Sequence, residues 1–310
     1  MTVTRVPSPA VAVLATAALL AGGGVAWFRA HEARAFFDPH ILLSRFPAED
    51  ALAMSVDVTA LRQAGLLRPP AAALEPEYRQ FLEGTGFDYR RDLDSVIASF
   101  SNSGTFFIAR GRFDWPKLRD YAALNAGSCY GELCRMQGSR PDRHISFLPL
   151  RKDAMALAVS TSDLAATLLT RTGPRVADIP EAVAWISVPG AELRRQNALP
   201  PQMHLMLSAL TSADRVVITF GASASGNIEA HLEAICRTKD DARVLASQLR
   251  TTTAVLKEAL GKEAPGRDKR QEGDEVIALL TGGSFDQKDR LVTGNWPVRR
   301  SLLDALTAGI

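Results

Sequence analysis

The stretch SVIASFSNSGTFFIAR, residues 95–110, decides the fold class of this chain. Two runs rich in β-branched and aromatic residues flank Asn102-Ser103-Gly104, a pattern that is typical of a β-hairpin. Strands joined by so short a turn run antiparallel. The stretch therefore predicts an antiparallel sheet, and the helical patterns on either side of it predict an α+β fold.

The chain on both sides of this hairpin alternates between strand and helix patterns. Before and after it we predict a strand at 51–58, helices at 60–67 and 76–84, a helix at 115–125, strands at 145–150 and 154–160, and a helix at 163–170. Asp114 is suited to cap the helix at 115–125, and Gly127 is suited to end it.

The second half of the chain repeats this order. We predict a strand at 182–188, a helical turn at 191–196, a helix at 202–210, a hairpin of 215–222 with 227–237, a helix at 240–260, strands at 276–281 and 290–294, and a helix at 298–308. The repeated order predicts two similar modules, 47–170 and 181–310, joined by a linker at 171–180. Each module is expected to be a small antiparallel sheet with helices packed on one face. The pattern leaves open whether the two sheets merge or face each other across a cleft.

The N-terminal region carries an uncharged segment at 10–28, which follows a tail at 1–9 and precedes a linker at 29–46. A helix of this length spans about 28 Å, close to the hydrocarbon thickness of a bilayer. Trp27 and Phe28 at its end are typical of the headgroup level. The segment predicts a single-pass anchor in the cell (inner) membrane. The alternative is a signal peptide cleaved near Ala26, which would release a secreted or periplasmic protein.

Two of the three cysteines are close in sequence. Cys129 and Cys134 are spaced so that a tight loop can join them in a disulfide, and the alternative is two free thiols. Cys236 lies in a predicted strand and is expected to be a small buried residue. Because disulfides persist outside the reducing cytosol, the pair favours an extracytoplasmic location for the soluble part.

A short segment carries a resemblance. The sequence FLEGTGFDYRRDLD, residues 81–94, resembles a segment of uncharacterised bacterial proteins that have an N-terminal membrane helix and duplicated α+β modules. That resemblance implies a tethered, duplicated architecture and no particular activity. Within the segment, Gly84 and Gly86 suit a helix end, Asp88 can cap the next turn, and Asp92 can hold the entry into the strand.

The sequence contains no recognisable catalytic, cofactor or metal motif. His31-Glu32 begins like a zinc-protease helix, but Ala35 occupies the position of the second ligand. Residues 221–226, GASASG, have the wrong spacing for a serine nucleophile elbow and join two strands. The 36 basic and 34 acidic side chains are interspersed, which argues against nucleic acid as a partner.

Three functions therefore remain in competition. The first is a non-enzymatic binding or scaffold domain, which takes an envelope protein or a small ligand in a cleft between the modules. The alternative is an envelope hydrolase that assembles a site from distant residues, with His144 or His204 as its base. The third is a purely structural role in the envelope. Trp115 and Trp185 are expected in the core, and Trp296 at the edge of the last helix.

Overall fold

The structure is a computed structural model of the chain, and it describes residues 36–47, 50–67, 76–138, 140–174, 176, 179–194, 210–222, 228–262 and 282–298. By its contacts the chain divides into two compact units. One comprises residues 1–45 and 172–179, and the other comprises residues 46–171 and 180–310. The predicted anchor at 10–28 lies outside the described residues. Among those residues, no helix combines the length and the apolar character needed to cross a membrane.

The described part of the smaller unit contains the short helix α1 (Pro39–Leu43). Asp38 caps it by accepting a hydrogen bond from the backbone N–H of His40 at 2.9 Å. The His40 ring donates from Nδ1 to the carbonyl of Val176 at 2.6 Å. The backbone N–H of Gly173 donates to the carbonyl of Ser44 at 2.9 Å. These bonds join the two segments of the unit to each other.

The larger unit is built on one antiparallel sheet. Its strands are β1 (Leu52–Asp57), β2 (Leu93–Ser101), β3 (Gly104–Gly111), β4 (Ser128–Tyr130), β5 (Leu133–Gln137), β6 (His144–Arg151), β7 (Ala154–Ser160), β8 (Ala184–Pro189), β9 (Ala213–Ala222), β10 (Ile228–Cys236), β11 (Ser284–Lys288) and β12 (Leu291–Val298). Their order in the sheet is β11-β12-β10-β9-β8-β1-β2-β3-β7-β6-β5-β4. The predicted α+β class with antiparallel pairing is therefore confirmed. The direct pairing of β1 with β8 answers the question left open by the pattern, because it makes one continuous sheet.

The helices of this unit are mostly short. They are α2 (Val58–Gln63), α3 (Pro76–Thr85), α4 (Tyr89–Asp92), α5 (Trp115–Leu124), a 3-10 helix (Ala165–Thr170), α6 (Gly190–Leu193) and the long α7 (Lys239–Lys262). The predicted helix at 202–210 falls almost wholly outside the described residues. So do the turn of the second hairpin and the predicted strand at 276–281.

The predicted hairpin of β2 and β3 forms, with Ser101 opposite Gly104 and Ser95 opposite Arg110, so Gly104 begins β3 and the turn is formed by Asn102 and Ser103 alone. Gly104 has φ +146°, and a Cβ there would lie 2.7 Å from the carbonyl oxygen of Val159. Glycine is needed at this position because neither the backbone conformation nor the space accommodates a side chain. Both the backbone conformation of the turn and the close approach of strand β7 therefore require glycine at position 104.

Helices α5 and α7 pack on the same face of the sheet. Leu118 and Ala122 of α5 join a core cluster that includes Met155, while Leu245 and Leu249 of α7 join a cluster that Phe220 borders. Directly paired residues point to the same side of a sheet. One such row runs from the first cluster to the second through Met155, Ala109, Val96, Val56, Ala184 and Phe220.

The opposite face of the first half is covered by the 3-10 helix. The backbone N–H of Ala166 donates to Ser146 Oγ at 3.0 Å, and Ser146 is fully buried. Phe147, the next residue of β6, points to the other face, into the cluster of α5. A helix is thus present near 163–170 as predicted, but the expectation that the helices of this half all pack on one face is wrong. The segment is a 3-10 helix and lies on the other side, because Ser146 supplies the acceptor there.

Other predictions require correction. The chain at 128–137 forms the extra hairpin of β4 and β5, and β11 was not predicted. The helix predicted at 298–308 cannot begin at Val298, which ends strand β12. Helix α5 ends at Leu124, and the left-handed residue that follows it is Ala126, with φ 57°, rather than Gly127. Trp296 is buried in β12 with an edge-on contact to Phe285, whereas Trp185 is in the core as predicted.

Candidate functional site

The segment 81–94 forms the junction between α3 and β2. Helix α3 ends at Thr85, and Gly86 follows with φ +70°. Asp88 then caps α4 by accepting from the backbone N–H of Arg90 at 3.0 Å. The local roles predicted for Gly86 and Asp88 are thus confirmed. The junction turns the chain tightly enough to place Arg91 and Asp92 at the start of the hairpin.

Asp92 is the centre of an ion-pair cluster. The residue is 7% exposed, yet it carries a charge. Its carboxylate accepts from the backbone N–H of Asp88 at 3.0 Å, from Arg91 Nη2 at 2.7 Å and from Arg112 Nη2 at 3.0 Å. The hydrogen bond from Arg91 is the largest cause that lowers the pKa of Asp92 to about 2. The cluster is therefore charged at any physiological pH.

A second polar cluster is centred on Asp88. Asp88 accepts from Arg90 Nε at 3.0 Å and from the hydroxyl of Tyr78 at 3.4 Å. Burial, followed by the nearby Asp88 charge, raises the pKa of Tyr78 to about 12. The tyrosine thus stays neutral and donates to the carboxylate. This cluster holds α3 to α4 and is structural in character.

Aromatic rings lie beside the Asp92 cluster. The rings of Phe87 and Phe113 stack with centroids 5.4 Å apart and 11° between their planes. Trp115 lies against Phe113 at 5.4 Å, and its indole N–H donates to the carbonyl of Lys152 at 3.0 Å. Phe113 and Trp115 are only partly buried. The prediction of Trp115 as a simple core residue is therefore incomplete, because one side of the ring faces a cavity.

Two cavities meet at Trp115, and we call them together the Trp115 cleft. The first has a volume of about 770 Å³ and lies over the Asp92 cluster. The second has a volume of about 390 Å³ and lies over Phe147 and Cys134. Trp115 and Lys152 line both. Volumes of this size are typical of small-molecule sites.

The charged lining of the Trp115 cleft is predominantly basic. Its cationic members are Arg91, Arg112, Lys117, Arg119, Arg151 and Lys152, and its acidic members are Asp92, Asp114, Glu132 and Asp153. Three of the acids already have cationic partners. Asp92 binds two arginines, Asp114 pairs with Lys117 at 3.4 Å, and Asp153 lies 3.8 Å from Arg151. The cleft is thus suited to an anionic rather than a cationic ligand.

The disulfide lies at the edge of the second cavity. Cys129 and Cys134 face each other directly in the hairpin of β4 and β5 and are bonded. The predicted pairing is confirmed, and the free-thiol alternative is wrong. The sequence did not predict that a strand pair would present the two residues to each other. Cys236 is buried as expected, and burial raises the pKa of its thiol.

None of the described histidines lines this cleft. His144 begins β6 opposite Ser160, but Ser160 Oγ donates to the carbonyl of Ser103 at 2.7 Å. Within the described chain, this pair lacks the serine–histidine hydrogen bond that a hydrolase site requires. His231 donates to Asn295 Oδ1 at 2.6 Å on an exposed strand. His31 and His204 lie outside the described residues. No group of residues able to hold a metal ion occurs in the described part of the chain.

The residues of the cleft were not predicted as a site from the sequence. Asp92 was assigned a structural task only, and Arg91, Arg112 and Lys152 were not singled out. One signal was present, because Asp92 and Arg112 lie just outside the two ends of the predicted hairpin at 95–110 and a hairpin brings its flanks together. Lys152 gave no such signal, since its position depends on the pairing of β3 with β7.

Comparison with known proteins gives little further guidance. No protein-family model matches the sequence, and no curated protein matches it. Two crystal structures of TP0453, forms I and IV, are similar to this chain in their backbone. Form I has a TM-score of 0.44 and 8% identity, covering 86% of this chain and 97% of TP0453. Form IV has a TM-score of 0.42 and 6% identity, covering 86% and 96%.

Proposed function

We propose that this chain is a membrane-held, extracytoplasmic binding protein without a catalytic role, and that the Trp115 cleft is its ligand site. The observation that carries the proposal is the cleft itself, in which basic side chains and partly exposed aromatic rings line two adjoining cavities. A few placed polar groups on an apolar wall are typical of small-molecule sites. The described lining contains no histidine or serine that could form the serine–histidine pair of the hydrolase alternative.

We include an internal duplication in this proposal. From the centre outward, one half of the sheet runs β1-β2-β3-β7-β6 and the other runs β8-β9-β10-β12-β11. Helices α5 and α7 follow the corresponding strands β3 and β10. Met54 and Ile186 each lie four residues before the helix that follows their strand, and they pair directly with each other. This self-pairing of corresponding positions supports two modules related by an approximate two-fold axis.

One hydrogen bond recurs at corresponding places and supports the same proposal. In the first half, the backbone N–H of Gly111 donates to the carbonyl of Asp153 at 3.0 Å. In the second half, the backbone N–H of Cys236 donates to the carbonyl of Arg290 at 2.8 Å. In each half, the bond joins the end of the hairpin's second strand, β3 or β10, to the turn before the final strand, β7 or β12. Fusion of two such modules explains why one sheet continues through β1 and β8.

The membrane location rests on the uncharged segment at 10–28 and on the disulfide, which persists where thiols are not kept reduced. Thiol labelling tests it. In intact bacteria that express the chain, Cys129 and Cys134 are expected to resist a maleimide reagent until a reductant is added. Rapid labelling of both in the cytosolic fraction, without reductant, would contradict an extracytoplasmic location.

The binding role is tested by identifying what copurifies with the chain. Full-length protein is purified from membranes, extracted with organic solvent and examined by mass spectrometry beside Trp115→Leu. We expect at least one small molecule that is enriched with the natural chain and lost in the variant. Trp185→Phe serves as the control, because Trp185 is a core residue outside the cleft. Identical extracts from all three proteins would contradict the proposed site.

A further inference from the structure

We propose that the Trp115 cleft binds one small organic anion per chain, with its anionic group on Arg91 and Arg112 and its apolar body on Phe113 and Trp115. This inference rests on the proposed binding function and specifies the ligand class. The ligand is a compact molecule with a carboxylate, sulfonate or phosphate group attached to a ring or a short hydrocarbon. Neither a cation nor an extended polyanion fits the lining as well.

The two arginines are held in place before any ligand binds. Arg91 donates to Asp92 and to the carbonyl of Gly86 at 3.0 Å, and Arg112 donates to Asp92 and to the carbonyl of Arg91 at 2.5 Å. Neither Nη1 group has a hydrogen-bond partner among the described residues. Because these bonds already restrict both side chains, little rotamer entropy remains to be lost when an anion binds. A guanidinium also matches the geometry of a two-oxygen anionic group.

The charge at this place is unbalanced. Two guanidiniums share the single carboxylate of Asp92, and both are more than half exposed on the cavity side. Lys152 adds another cation to the lining, and its ammonium has no polar partner in the described chain. Since Asp92 is nearly enclosed, it neutralises the arginines from behind and leaves their outer faces to solvent. An incoming anion therefore meets donors and not the carboxylate.

The aromatic wall sets the nature of the rest of the ligand. Phe87 supports Phe113 by stacking on it, so the Phe113 ring cannot fold inward. The Trp115 ring is fixed by its hydrogen bond to the carbonyl of Lys152. Rings held in this way present a rigid apolar surface at low entropic cost. A ligand with an apolar body gains contact area there, which an inorganic anion does not.

Among its described residues, the second half of the sheet lacks the Asp92 cluster, Trp115 and Lys152 at the corresponding places, which favours one ligand per chain. At the place corresponding to Trp115 and Lys152, Lys239 forms an ion pair with Asp289 at 2.5 Å. Arg215 of β9 corresponds to Ser95 of β2, because the two residues pair with corresponding residues of β8 and β1. Ser212 lies three residues before Arg215, and Asp92 lies three residues before Ser95. Ser212 therefore corresponds to Asp92, and Arg237, which corresponds to Arg112, pairs with Asp214 at 3.3 Å instead.

The test uses the full chain in nanodiscs of phosphatidylcholine, with three water-soluble probes followed by saturation-transfer NMR. Benzenesulfonate has both parts of the proposed ligand, benzyl alcohol lacks the charge, and methanesulfonate lacks the ring. We expect saturable binding of benzenesulfonate, with at least about five-fold weaker binding of each of the other two, since each lost contact is worth about 1 kcal/mol. Isothermal titration calorimetry is expected to give one site per chain.

Variants locate the site. Arg112→Gln and Lys152→Gln are each expected to weaken benzenesulfonate binding by about two- to five-fold and to leave benzyl alcohol binding unchanged. Arg243→Gln, on α7, is the matched control and is expected to have no effect. Lys152→Gln keeps the test valid if Arg112→Gln destabilises the fold, because the Lys152 side chain is exposed. Equal effects of Lys152→Gln and Arg243→Gln would overturn the proposal.

Other outcomes separate this inference from the function on which it rests. If benzyl alcohol binds as well as benzenesulfonate while a copurifying molecule still depends on Trp115, the ligand class is wrong and the binding function stands. Two sites per chain would overturn the restriction to the first half. Nanodiscs with phosphatidylglycerol distinguish a free anion from a lipid headgroup. If the affinity for benzenesulfonate is unchanged in phosphatidylglycerol, the natural ligand is a free anion. If phosphatidylglycerol abolishes benzenesulfonate binding, its headgroup occupies the site and the proposal of a free anion is overturned.

Discussion

Asp92 and Arg112 are joined twice, once through the backbone and once through the side chains. The backbone N–H of Arg112 donates to the carbonyl of Asp92 at 2.8 Å, and Arg112 Nη2 donates to Asp92 Oδ1 at 3.0 Å. The first bond extends the ladder of the β2–β3 hairpin by one step, and the second fixes the arginine over a nearly enclosed carboxylate. The same pair thus ends the hairpin and forms one wall of the Trp115 cleft.

Replacing this carboxylate should destabilise the fold. Asp92→Asn leaves the two guanidiniums without their counter-charge, and we expect a loss of about 1 to 2 kcal/mol in the free energy of unfolding. The loss lies nearer 1 kcal/mol if water screens the charges of the exposed arginines effectively. Urea denaturation followed by circular dichroism measures the change. Asp120→Asn, an exposed position on α5, is the control, and equal stability of the two variants would contradict the role of Asp92.

The same carboxylate predicts a dependence on pH. Because the pKa of Asp92 falls from 3.8 to about 2 on folding, its contribution to stability is complete above about pH 4 and disappears as the pH falls through 2. The pKa of Asp88 is also lowered, mainly by its hydrogen bond to Arg90, which opposes the effect of burial, so it acts in the same direction. Melting temperatures of the natural chain and Asp92→Asn should therefore converge between pH 4 and pH 2. A constant difference across that range would contradict the lowered pKa.

The disulfide should contribute measurably although it closes a short loop. Cys129→Ser with Cys134→Ser is expected to lower the free energy of unfolding by about 2 kcal/mol, mainly because the unfolded chain gains freedom. Thermal unfolding with and without a reductant checks this. The natural chain should lose stability on reduction and the double variant should not. If reduction affects both proteins alike, the stabilisation comes from elsewhere.

Gly111 is a site of close approach at the base of the cleft. A Cβ at this position would collide with the carbonyl oxygen of Asp92, and a backbone atom cannot move aside as a flexible side chain can. We expect Gly111→Ala to cost about 1 to 3 kcal/mol and to weaken any ligand held by Arg112. Gly221→Ala is the matched strand control, since nothing lies within 4 Å of a Cβ there. Chemical denaturation measures the free energy of unfolding of both variants. Similar values for Gly111→Ala and Gly221→Ala would contradict the predicted collision.

Much of the local structure was predictable because it depends on neighbours in the chain. Asp88 and Asp114 cap the helices they precede, and the β2–β3 hairpin forms as predicted. The Cys129–Cys134 bond was also predictable, since five positions separate the two residues. Capping and tight turns use hydrogen bonds within a few residues, so a single sequence contains the information for them.

By itself, the sequence determined an α+β chain with antiparallel hairpins, capped helices and one feasible disulfide. Only the tertiary structure decided that β1 and β8 join the strands into one sheet and that β7 brings Lys152 to Trp115 and the Asp92 cluster. The difference has a physical reason. A hairpin fixes the register of its own strands through its turn, whereas pairing between distant strands depends on which faces are buried together. The cleft is assembled from such distant pairings.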